Sequence, residues 1–349
     1  MNKLKIVQIG VEHDHASQIM ATLREMPEDF EVVGYYQAPD DDVTNCTPLS
    51  HAYDGLRRFG SLDEALSVPH LDAVAVETSE INTTRYALAV AERGLPMHMD
   101  KPGGTDPTDF DRLISTVKEK NLVFSTGYMY RYNPAVLHLL QMVRAGELGK
   151  ITSVEAHMNC IHSDGKRAWL SRFPGGMFFF LGCHLIDLIL QFNGRLPEAV
   201  VPCSHATGFR GVSAQDVGFA LFRYPNGLSF AKTSASEFGG FMRRQLVVSG
   251  SDGTAVIEPL ERSGEGGQYV DLRVVRNDSE GRKWGYDGER TTFGPFHRYR
   301  AMLERFARAV KTGEGLPVTP TYERQLYRVL LAACGAEPYR KPEKGEKPI

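Results

Sequence analysis

Short apolar runs alternate with helical patterns over the first third of the 349-residue chain. Runs typical of buried strands stand at 4–9, 30–36, 71–77, 95–100 and 121–128. Helical patterns lie between them, at 16–26, 61–66, 82–93 and 107–120. Because parallel strands need helical crossovers, this alternation predicts an α/β domain with a doubly wound parallel sheet.

From about residue 127 the pattern changes to consecutive strands joined by tight turns, such as "PNG" at 225–227 and "SDG" at 251–253. Such strands favour a large, mostly antiparallel sheet. The helical patterns of this part lie at 134–145, after Gly175 and Gly176, at 298–312 and at 321–335. We therefore predict two domains, 1–126 and 127–340, with a tail at 341–349 and closing helices able to pack back on the first domain.

Composition excludes several classes of protein. The net charge is −3 with 24% charged residues, and no basic block suggests nucleic acid. The most apolar run, 177–190, contains His184 and Asp187 and is too short for a membrane span. The N-terminus lacks the apolar core of a signal peptide, and the five cysteines are isolated. The sequence predicts a cytoplasmic protein that binds neither nucleic acid nor membrane.

The segment "IGVEHDHA" (9–16) stands where a dinucleotide-binding chain has its glycine-rich loop. Gly10 is retained, but Glu12 and His15 occupy positions where a side chain hinders close approach of a pyrophosphate. Three interpretations stay open: a phosphate loop in which His13 or His15 donates to a phosphate oxygen, a structural turn, or a metal site at residues 13–15. Adjacent residues rarely converge on a metal without distant help, so no metal is predicted.

Ligands of doubly wound sheets bind at the carboxyl ends of the strands. This rule predicts one crevice lined by the residues that follow the strands: Gly10, Gln37, Thr78, Lys101 and Tyr128. Gln37 can hydrogen-bond a ribose and adds no positive charge, which favours NAD over NADP. The alternative is that Asp40 to Asp42 form only a solvated turn.

Two further stretches suggest catalysis. In "MDKPGG" (99–104), Lys101 is held just beyond a strand and can orient a hydroxyl group, unless it is a surface lysine. In 174–190, Phe180, His184 and Asp187 have the spacing of one helix face. His184 suits the removal of a hydroxyl proton, although a buried structural histidine is the alternative.

In order and spacing, these segments resemble the Gfo/Idh/MocA family, relatives of glucose-fructose oxidoreductase and inositol dehydrogenase. The matching segments are the first strand with Gly10, "AVAERGLPMHMDKP", "STGYMYRYNPA", "AGELGKI", "GGMFFFLGCHLID", "YPNG" and "VSGSDGTAVI". The resemblance implies an N-terminal Rossmann domain and a C-terminal α+β domain whose open sheet joins a homodimer or homotetramer. It also implies NAD(P)-linked oxidation of a sugar, cyclitol or related hydroxy compound.

Carried over by position, the resemblance makes Lys101 and His184 the catalytic residues, with Asp100 replacing the family's usual glutamate. It suggests a substrate site formed by Tyr128, Tyr130 and Asp187, with Lys166 and Trp169 in a loop that is a further candidate. Together with the strand-end rule, it gives these candidates for cofactor binding: Gly10, Glu12, His13, His15, Gln37, Thr78, Asp100 and Lys101.

One departure from the family bears on catalysis. The family's aspartate one turn before the histidine is Phe180 here, and a phenyl ring can neither orient an imidazole nor raise its basicity. Asp187 is a candidate for replacing it in part. The dehydrogenase interpretation therefore has two alternatives: a nucleotide- or sugar-binding regulatory protein without turnover, and a lyase or glycosidase that uses tightly bound NAD.

Overall fold

The computed structural model describes residues 3–41 and 51–341. The chain divides into two compact units, Met1–Met129 with Tyr299–Gln325, and Tyr130–Arg298 with Leu326–Ile349. The predicted tail lies, except for residue 341, outside the described residues.

The first unit contains a parallel sheet in the order β2-β1-β3-β4-β5. Its strands are β1 (Leu4–Ile9), β2 (Phe30–Tyr36), β3 (Ala73–Val76), β4 (Met97–Met99) and β5 (Phe124–Thr126). The strand order reverses between β1 and β3, the position where doubly wound sheets bind their ligands. The predicted parallel sheet is confirmed.

Helices of the first unit begin largely where the sequence predicts them. They are α1 (Ala16–Arg24), α2 (Leu62–Leu66), α3 (Thr83–Glu92) and α4 (Pro107–Glu119), with a short 3₁₀ turn at His51–Tyr53. Ser61 accepts a hydrogen bond from the Glu64 backbone N–H, and Asp106 accepts from the N–H groups of Thr108 and Asp109. These caps accept hydrogen bonds from backbone N–H groups of the first helical turn, which have no acceptor within the helix.

The second unit contains a sheet in the order β12-β13-β11-β10-β6-β9-β8-β7, with β14 paired to β13. Within this second sheet, β6 and β9 are the only described neighbours that pair in parallel. The strands are β6 (Ile151–Asn159), β7 (Ala199–His205), β8 (Val217–Tyr224), β9 (Gly227–Ser234), β10 (Gln245–Gly250), β11 (Gly253–Ile257), β12 (Arg262–Gly264), β13 (Gly267–Arg276) and β14 (Glu289–Phe296). This architecture confirms the predicted, mostly antiparallel sheet.

The sequence pattern did not reveal β7, β12 or β14. Strands β7 and β14 are largely exposed, so they lack the apolar alternation by which a half-buried strand is recognised. β12 has three residues, too few to show any period.

The remaining helices are α5 (Pro134–Arg144), α6 (Asp164–Trp169), α7 (Cys183–Asn193), α8 (Arg300–Thr312) and α9 (Pro320–Ala333). Lys166 and Trp169 therefore lie on a short helix, and the prediction of a loop is wrong; Ser163 caps this helix by accepting from the Lys166 N–H. A π-helical turn, Phe178–Gly182, precedes α7. None of the helices in the described ranges combines the length and the apolar character that a membrane span requires.

Candidate functional site

Gly10 begins the polar region of the first unit, at the end of β1. Its φ of +88° is one that L side chains rarely adopt. A Cβ atom at this position would lie 2.4 Å from the backbone nitrogen of Thr78. Glycine is therefore required because the loop after β1 touches the residues that follow β3, and Gly10 and Thr78 do meet as predicted.

His13 is fixed by backbone groups on both sides. Its N–H donates to the Glu77 carbonyl (3.1 Å), its Nε2 lies 3.0 Å from the Lys101 carbonyl, and its Nδ1 accepts from the His15 N–H (3.1 Å). Burial lowers the pKa of His13 to about 3, so the ring is neutral near pH 7. The ring thus links the loop after β1 to the ends of β3 and β4.

Asp100 occupies the centre of this region, at the end of β4, and is fully buried. Its Oδ2 lies 3.0 Å from His15 Nδ1 and 3.4 Å from His13 Nδ1, and its Oδ1 accepts from the Lys101 N–H (2.7 Å). Burial alone would raise the pKa of Asp100, but His13 and His15 beside it hold the pKa well below its usual range. Asp100 is therefore a carboxylate.

Two further groups face Asp100 from neighbouring strands. Burial and the Asp100 carboxylate raise the pKa of Glu77 well above its ordinary value, and burial lowers the pKa of His98 to about 4. Lys101 is fully buried in the same region. Glu80 Oε1 lies 3.5 Å from His13 Nε2, and Glu12 is buried in the loop after β1. We call the acidic, basic and imidazole side chains at or after the ends of β1, β3 and β4 the strand-end cluster: Glu12, His13, His15, Glu77, Glu80, His98, Asp100 and Lys101.

A separate cleft of about 560 Å³ lies at the end of β2 in the first unit and is lined by Gln37, Asp41 and Arg58 among others. Asp41 Oδ2 accepts from the N–H groups of Val11 (2.9 Å) and Ala38 (3.1 Å). Its Oδ1 is buried and has no hydrogen-bond partner among the described residues. Burial raises the pKa of Asp41 to about 6, although these two N–H groups oppose the shift.

The alternative of a solvated turn at Asp40 to Asp42 fits Asp40, which is exposed in a turn, but not Asp41, which is partly buried and bonded to backbone N–H groups. Asp40 accepts from the Tyr86 hydroxyl (2.6 Å), and Asp41 connects the β2 loop to the loop after β1. Asp42 lies outside the described residues. The run of three acids after a strand was the only signal in the sequence for Asp41, and Arg58 had none.

In the second unit, His184 lies in the first turn of α7 and is almost fully buried. The Tyr130 ring packs edge-on against the imidazole, with 5.4 Å between ring centroids. Asp187 lies one turn further along α7, and its Oδ2 accepts from Arg131 Nε (2.9 Å) and Gln191 Nε2 (3.0 Å). The carboxylate expected to assist His184 is thus held by a buried arginine that the sequence analysis did not select.

Phe180 lies in the π-helical turn and not in α7. A π turn has more residues per turn than an α-helix, so the helical spacing that predicted one face for Phe180, His184 and Asp187 does not apply to Phe180. It applies to His184 and Asp187, which both lie in α7. The Phe180 ring packs edge-on against Trp169 (5.5 Å between centroids) and parallel to Phe173 (6.4 Å). Lys166 Nζ lies 3.7 Å from the centroid of the Trp169 ring and 4.8 Å from that of Phe180.

Tyr130 is in turn positioned by a buried carboxylate. Its hydroxyl donates to Glu261 Oε1 (2.7 Å), and Arg298 Nε donates to Glu261 Oε2 (2.8 Å). Burial and Glu261 together raise the pKa of Tyr130 to about 12. Glu261 gave no signal in the sequence because it stands alone in an irregular segment before β12.

The structure brings the predicted residues together in two groups. The first unit collects those at the strand ends: Gly10, Glu12, His13, His15, Thr78, Asp100 and Lys101, with Gln37 in the cleft and Tyr128 buried after β5. The second unit collects Tyr130, His184 and Asp187 in one neighbourhood, and Lys166 with Trp169 around Phe180.

Comparison with known proteins gives matches over both units. A family model described as "Oxidoreductase family, NAD-binding Rossmann fold" (GFO_IDH_MocA) matches residues 4–128, and one for the C-terminal domain of the same family matches residues 136–256. Similar curated proteins include D-xylose 1-dehydrogenase (NADP(+)) 2 of Haloferax volcanii, 26% identical over 76% of this chain and 77% of that protein. Another is scyllo-inositol 2-dehydrogenase (NADP(+)) IolW of Bacillus subtilis, 22% identical over 87% of each chain.

Among solved structures, aldose-aldose oxidoreductase from Caulobacter crescentus superimposes with a TM-score of 0.77. The match covers 96% of this chain and 97% of that chain at 18% identity, and it shows that the two share a fold.

Proposed function

The chain belongs to the GFO/IDH/MocA family of oxidoreductases, and from this premise we propose that it oxidises a hydroxyl group of a sugar, cyclitol or related hydroxy compound. The observation that carries the proposal is Lys101, a fully buried lysine that follows β4 within the strand-end cluster. The Asp100 carboxylate beside it offsets the cost of burying this lysine, and a cation held at a strand end can polarise a hydroxyl group. D-xylose and scyllo-inositol in the names of two relatives support the substrate class.

We assign the proton chemistry to two side chains. Lys101 would orient and polarise the reacting hydroxyl, and His184 would accept its proton. In the second unit, the Tyr130 ring fixes the orientation of His184, and Glu261 fixes Tyr130. The Lys166 and Trp169 side chains, with Tyr128 and Asp187, are the proposed substrate contacts.

The first unit fits a nicotinamide cofactor at two places. Gly10 holds the loop after β1 against Thr78 at the end of β3, where the strand order reverses and doubly wound sheets bind their ligands. Asp41 Oδ1 is a buried acceptor without a described partner in a cleft shared with Gln37, as a ribose hydroxyl requires. When bound, the cofactor accepts the hydride. The Asp41 carboxylate favours the ribose hydroxyls of NAD. Arg58 lines the same cleft and is the residue that would pair with the 2′-phosphate of NADP.

Two further proposals concern the cellular location and the oligomeric state of the protein. We propose a cytoplasmic protein that forms a homodimer or homotetramer through the sheet of the second unit. Val201 on β7 and Leu228 on β9 are apolar side chains of that sheet with 52% and 49% of their surfaces exposed. Such apolar exposure suits a protein interface.

The test is reduction of NAD and NADP by a panel of aldoses, polyols and cyclitols, followed by Lys101→Ala on any responsive substrate. We expect kcat to fall by roughly 10² to 10⁴, as for loss of a general acid–base group. Lys118→Ala on the exposed face of α4 is the matched control and should keep full turnover. Unchanged turnover in Lys101→Ala would refute the assignment.

Two other outcomes identify the alternatives. Saturable NAD binding without reduction by any compound of the panel indicates a binding protein. NAD that copurifies and survives dialysis, without net reduction, indicates a lyase or glycosidase.

A further inference from the structure

Arg244 is the residue just before β10, and its guanidinium is held on three sides within the second unit. Its Nη1 donates to the Tyr130 hydroxyl (3.3 Å), its Nε donates to the Asn159 carbonyl at the end of β6 (3.5 Å), and its Cζ lies 4.3 Å from the centroid of the Phe241 ring. The side chain is 12% exposed. Both hydrogen bonds are long for N–H donors, so they orient the planar group and leave much of its bonding capacity unused.

Glu261 is the carboxylate that faces Arg244, but other groups already bind it. Arg298 donates to both Glu261 oxygens, and the Tyr130 hydroxyl donates to Oε1 (2.7 Å). Arg244 Nη1 is 3.9 Å from Oε1, which is beyond hydrogen-bond distance. Its Nη2 has no acceptor among the residues that the structure describes. One edge of the guanidinium is therefore open to an acceptor from outside the chain.

Asn159 provides a second observation, independent of Arg244. The side chain is fully buried, and its Oδ1 has no hydrogen-bond partner within the described ranges. The amide orientation is fixed, because Nδ2 is 3.4 Å from the Glu237 carboxylate and must be the donor there. A buried acceptor is costly unless a donor satisfies it, and a ligand hydroxyl is such a donor. Two residues in direct contact thus offer an open cation edge and an unused acceptor.

Tyr130 connects Arg244 with the proposed catalytic histidine. Its ring packs edge-on against His184, with 5.4 Å between ring centroids, and its hydroxyl contacts Arg244. The imidazole and the guanidinium are therefore neighbours of the same side chain. A ligand whose hydroxyl group meets His184 has a cation on the other side of one tyrosine.

We propose that Arg244 binds a carboxylate of the substrate, so that the substrate is a sugar acid, either aldonic or uronic, instead of a neutral sugar or polyol. This inference deepens the proposed function and rests on it, since only the dehydrogenase reaction makes the bound acid a substrate. An arginine edge matches the two oxygens of a carboxylate, and such charge-assisted bonds are strong. A phosphate dianion fits less well, because the Glu261 carboxylate 3.9 Å from Nη1 would repel its second charge.

The test compares matched compounds on the full-length protein in the presence of NAD. The pairs are glucose with glucuronate, galactose with galacturonate, and sorbitol with gluconate, and glucose 6-phosphate is the probe for phosphate. Calorimetric titration gives the affinities, and reduction of NAD gives kcat and KM. We expect the acid of at least one pair to bind about 10- to 100-fold more tightly than its neutral partner, as one charge-assisted interaction provides.

Arg244→Gln separates recognition of the carboxylate from a structural role. It should weaken affinity for the acid and raise its KM by about 10- to 100-fold, while kcat and the values for the neutral partner stay within about twofold. A structural role would instead disturb Tyr130 and His184 and lower kcat for both compounds. Arg276→Gln is the matched control, because Arg276 is an exposed arginine that pairs with Glu147 (3.3 Å), and it should change neither value.

Circular dichroism verifies that the variants fold. If Arg244→Gln does not fold, Arg244→Lys decides the question, because it keeps the charge and loses the two-pronged geometry. It should then weaken affinity for the acid and leave the neutral partner unchanged.

The proposal is overturned if no acid binds more tightly than its neutral partner, or if glucose 6-phosphate is the preferred ligand. It is equally overturned if the Arg244 variant affects the acid and the neutral compound to the same extent. The proposed function fails separately, when compounds bind and none of them reduces NAD or NADP. Because the affinities need no turnover, a protein that binds acids through Arg244 without oxidising them keeps the carboxylate site and loses the dehydrogenase assignment.

Discussion

The two units hold their titratable side chains in contrasting surroundings. In the first unit, acids and histidines from β1, β3 and β4 meet one another at the strand ends, with Lys101 as a buried cation. In the second unit, His184 lies beside the Tyr130 ring, and aromatic rings surround Phe180 in the turn before α7. The first region is a polar cluster, and the second is an aromatic one.

This contrast shows how the chain accommodates its departures from the family. Glu12 and His15 stand where glycines are usual; Glu12 is buried, and His15 contacts the Asp100 carboxylate at the end of β4 (3.0 Å). Phe180, where an aspartate is usual, is packed by Trp169 and Phe173, and Asp187 is held by Arg131. In the loop after β1, His15 therefore has a charged partner, whereas Phe180 is accommodated by apolar packing. Variants at the two sites can test each explanation.

Phe180→Asp should have the largest effect, because it places a carboxylate in the aromatic region. Phe180 is 2% exposed, and loss of such a ring costs roughly 3–5 kcal/mol before any charge is buried. We expect the free energy of unfolding to fall by about 5 kcal/mol, with no gain in turnover. Urea denaturation measures the change.

Phe180→Leu is the matched control, and it should cost only about 1–2 kcal/mol because the site stays apolar. A Phe180→Asp variant that is as stable as the wild type and turns over faster would show that the aromatic packing is incidental.

Arg131→Met tests the one strong ion pair described beside His184. Arg131 and Asp187 are both buried, so removing the cation leaves a buried carboxylate and should cost about 3–5 kcal/mol. The double variant Arg131→Met, Asp187→Leu should recover much of this loss, since the uncompensated charge is gone. Additive losses in the double variant would contradict the pairing.

Gly10→Ala tests the close approach in the first unit. The new Cβ would meet the Thr78 backbone at 2.4 Å and would force alanine to a φ of +88°. Strain and overpacking together should cost about 3 kcal/mol. Gly94→Ala isolates the strain alone, because Gly94 has a φ of +75° with nothing within 4 Å of its would-be Cβ. Equal losses in both variants would mean that the contact with Thr78 contributes nothing.

The sequence predicts the fold of a region where its apolar residues recur with a clear period, and it fails where they do not. The alternation of strands and helices predicted the parallel sheet and placed Gly10, Thr78 and Lys101 at its strand ends. The π-helical turn at Phe178–Gly182 could not be predicted, because an apolar run has the same appearance in α and π registers. Glu77, Arg131 and Glu261 were missed because single charged residues acquire meaning only from partners distant in sequence.

Asp41→Asn should have the smallest effect, and it distinguishes a functional carboxylate from a structural one. The pKa of Asp41 is about 6 in the folded chain, raised by burial from an ordinary value near 4. The folded state therefore binds more protons than the unfolded state between these values, and the stability contributed by this site is lost as pH rises. Relative to the wild type, Asp41→Asn should gain about 2 kcal/mol between about pH 4 and pH 7.

The same variant should bind NAD less tightly, by about tenfold, because an amide is a weaker acceptor for a ribose hydroxyl than a carboxylate. Asp40→Asn is the control for affinity, since that carboxylate is already occupied by the Tyr86 hydroxyl. Denaturation at several pH values measures the change in stability, and titration with NAD measures the change in affinity. A stability difference that does not change with pH, together with unchanged NAD affinity, would make Asp41 a simple loop anchor. A gain in stability with a loss of affinity would mean that the first unit keeps an unfavourable buried acid for the sake of its ligand.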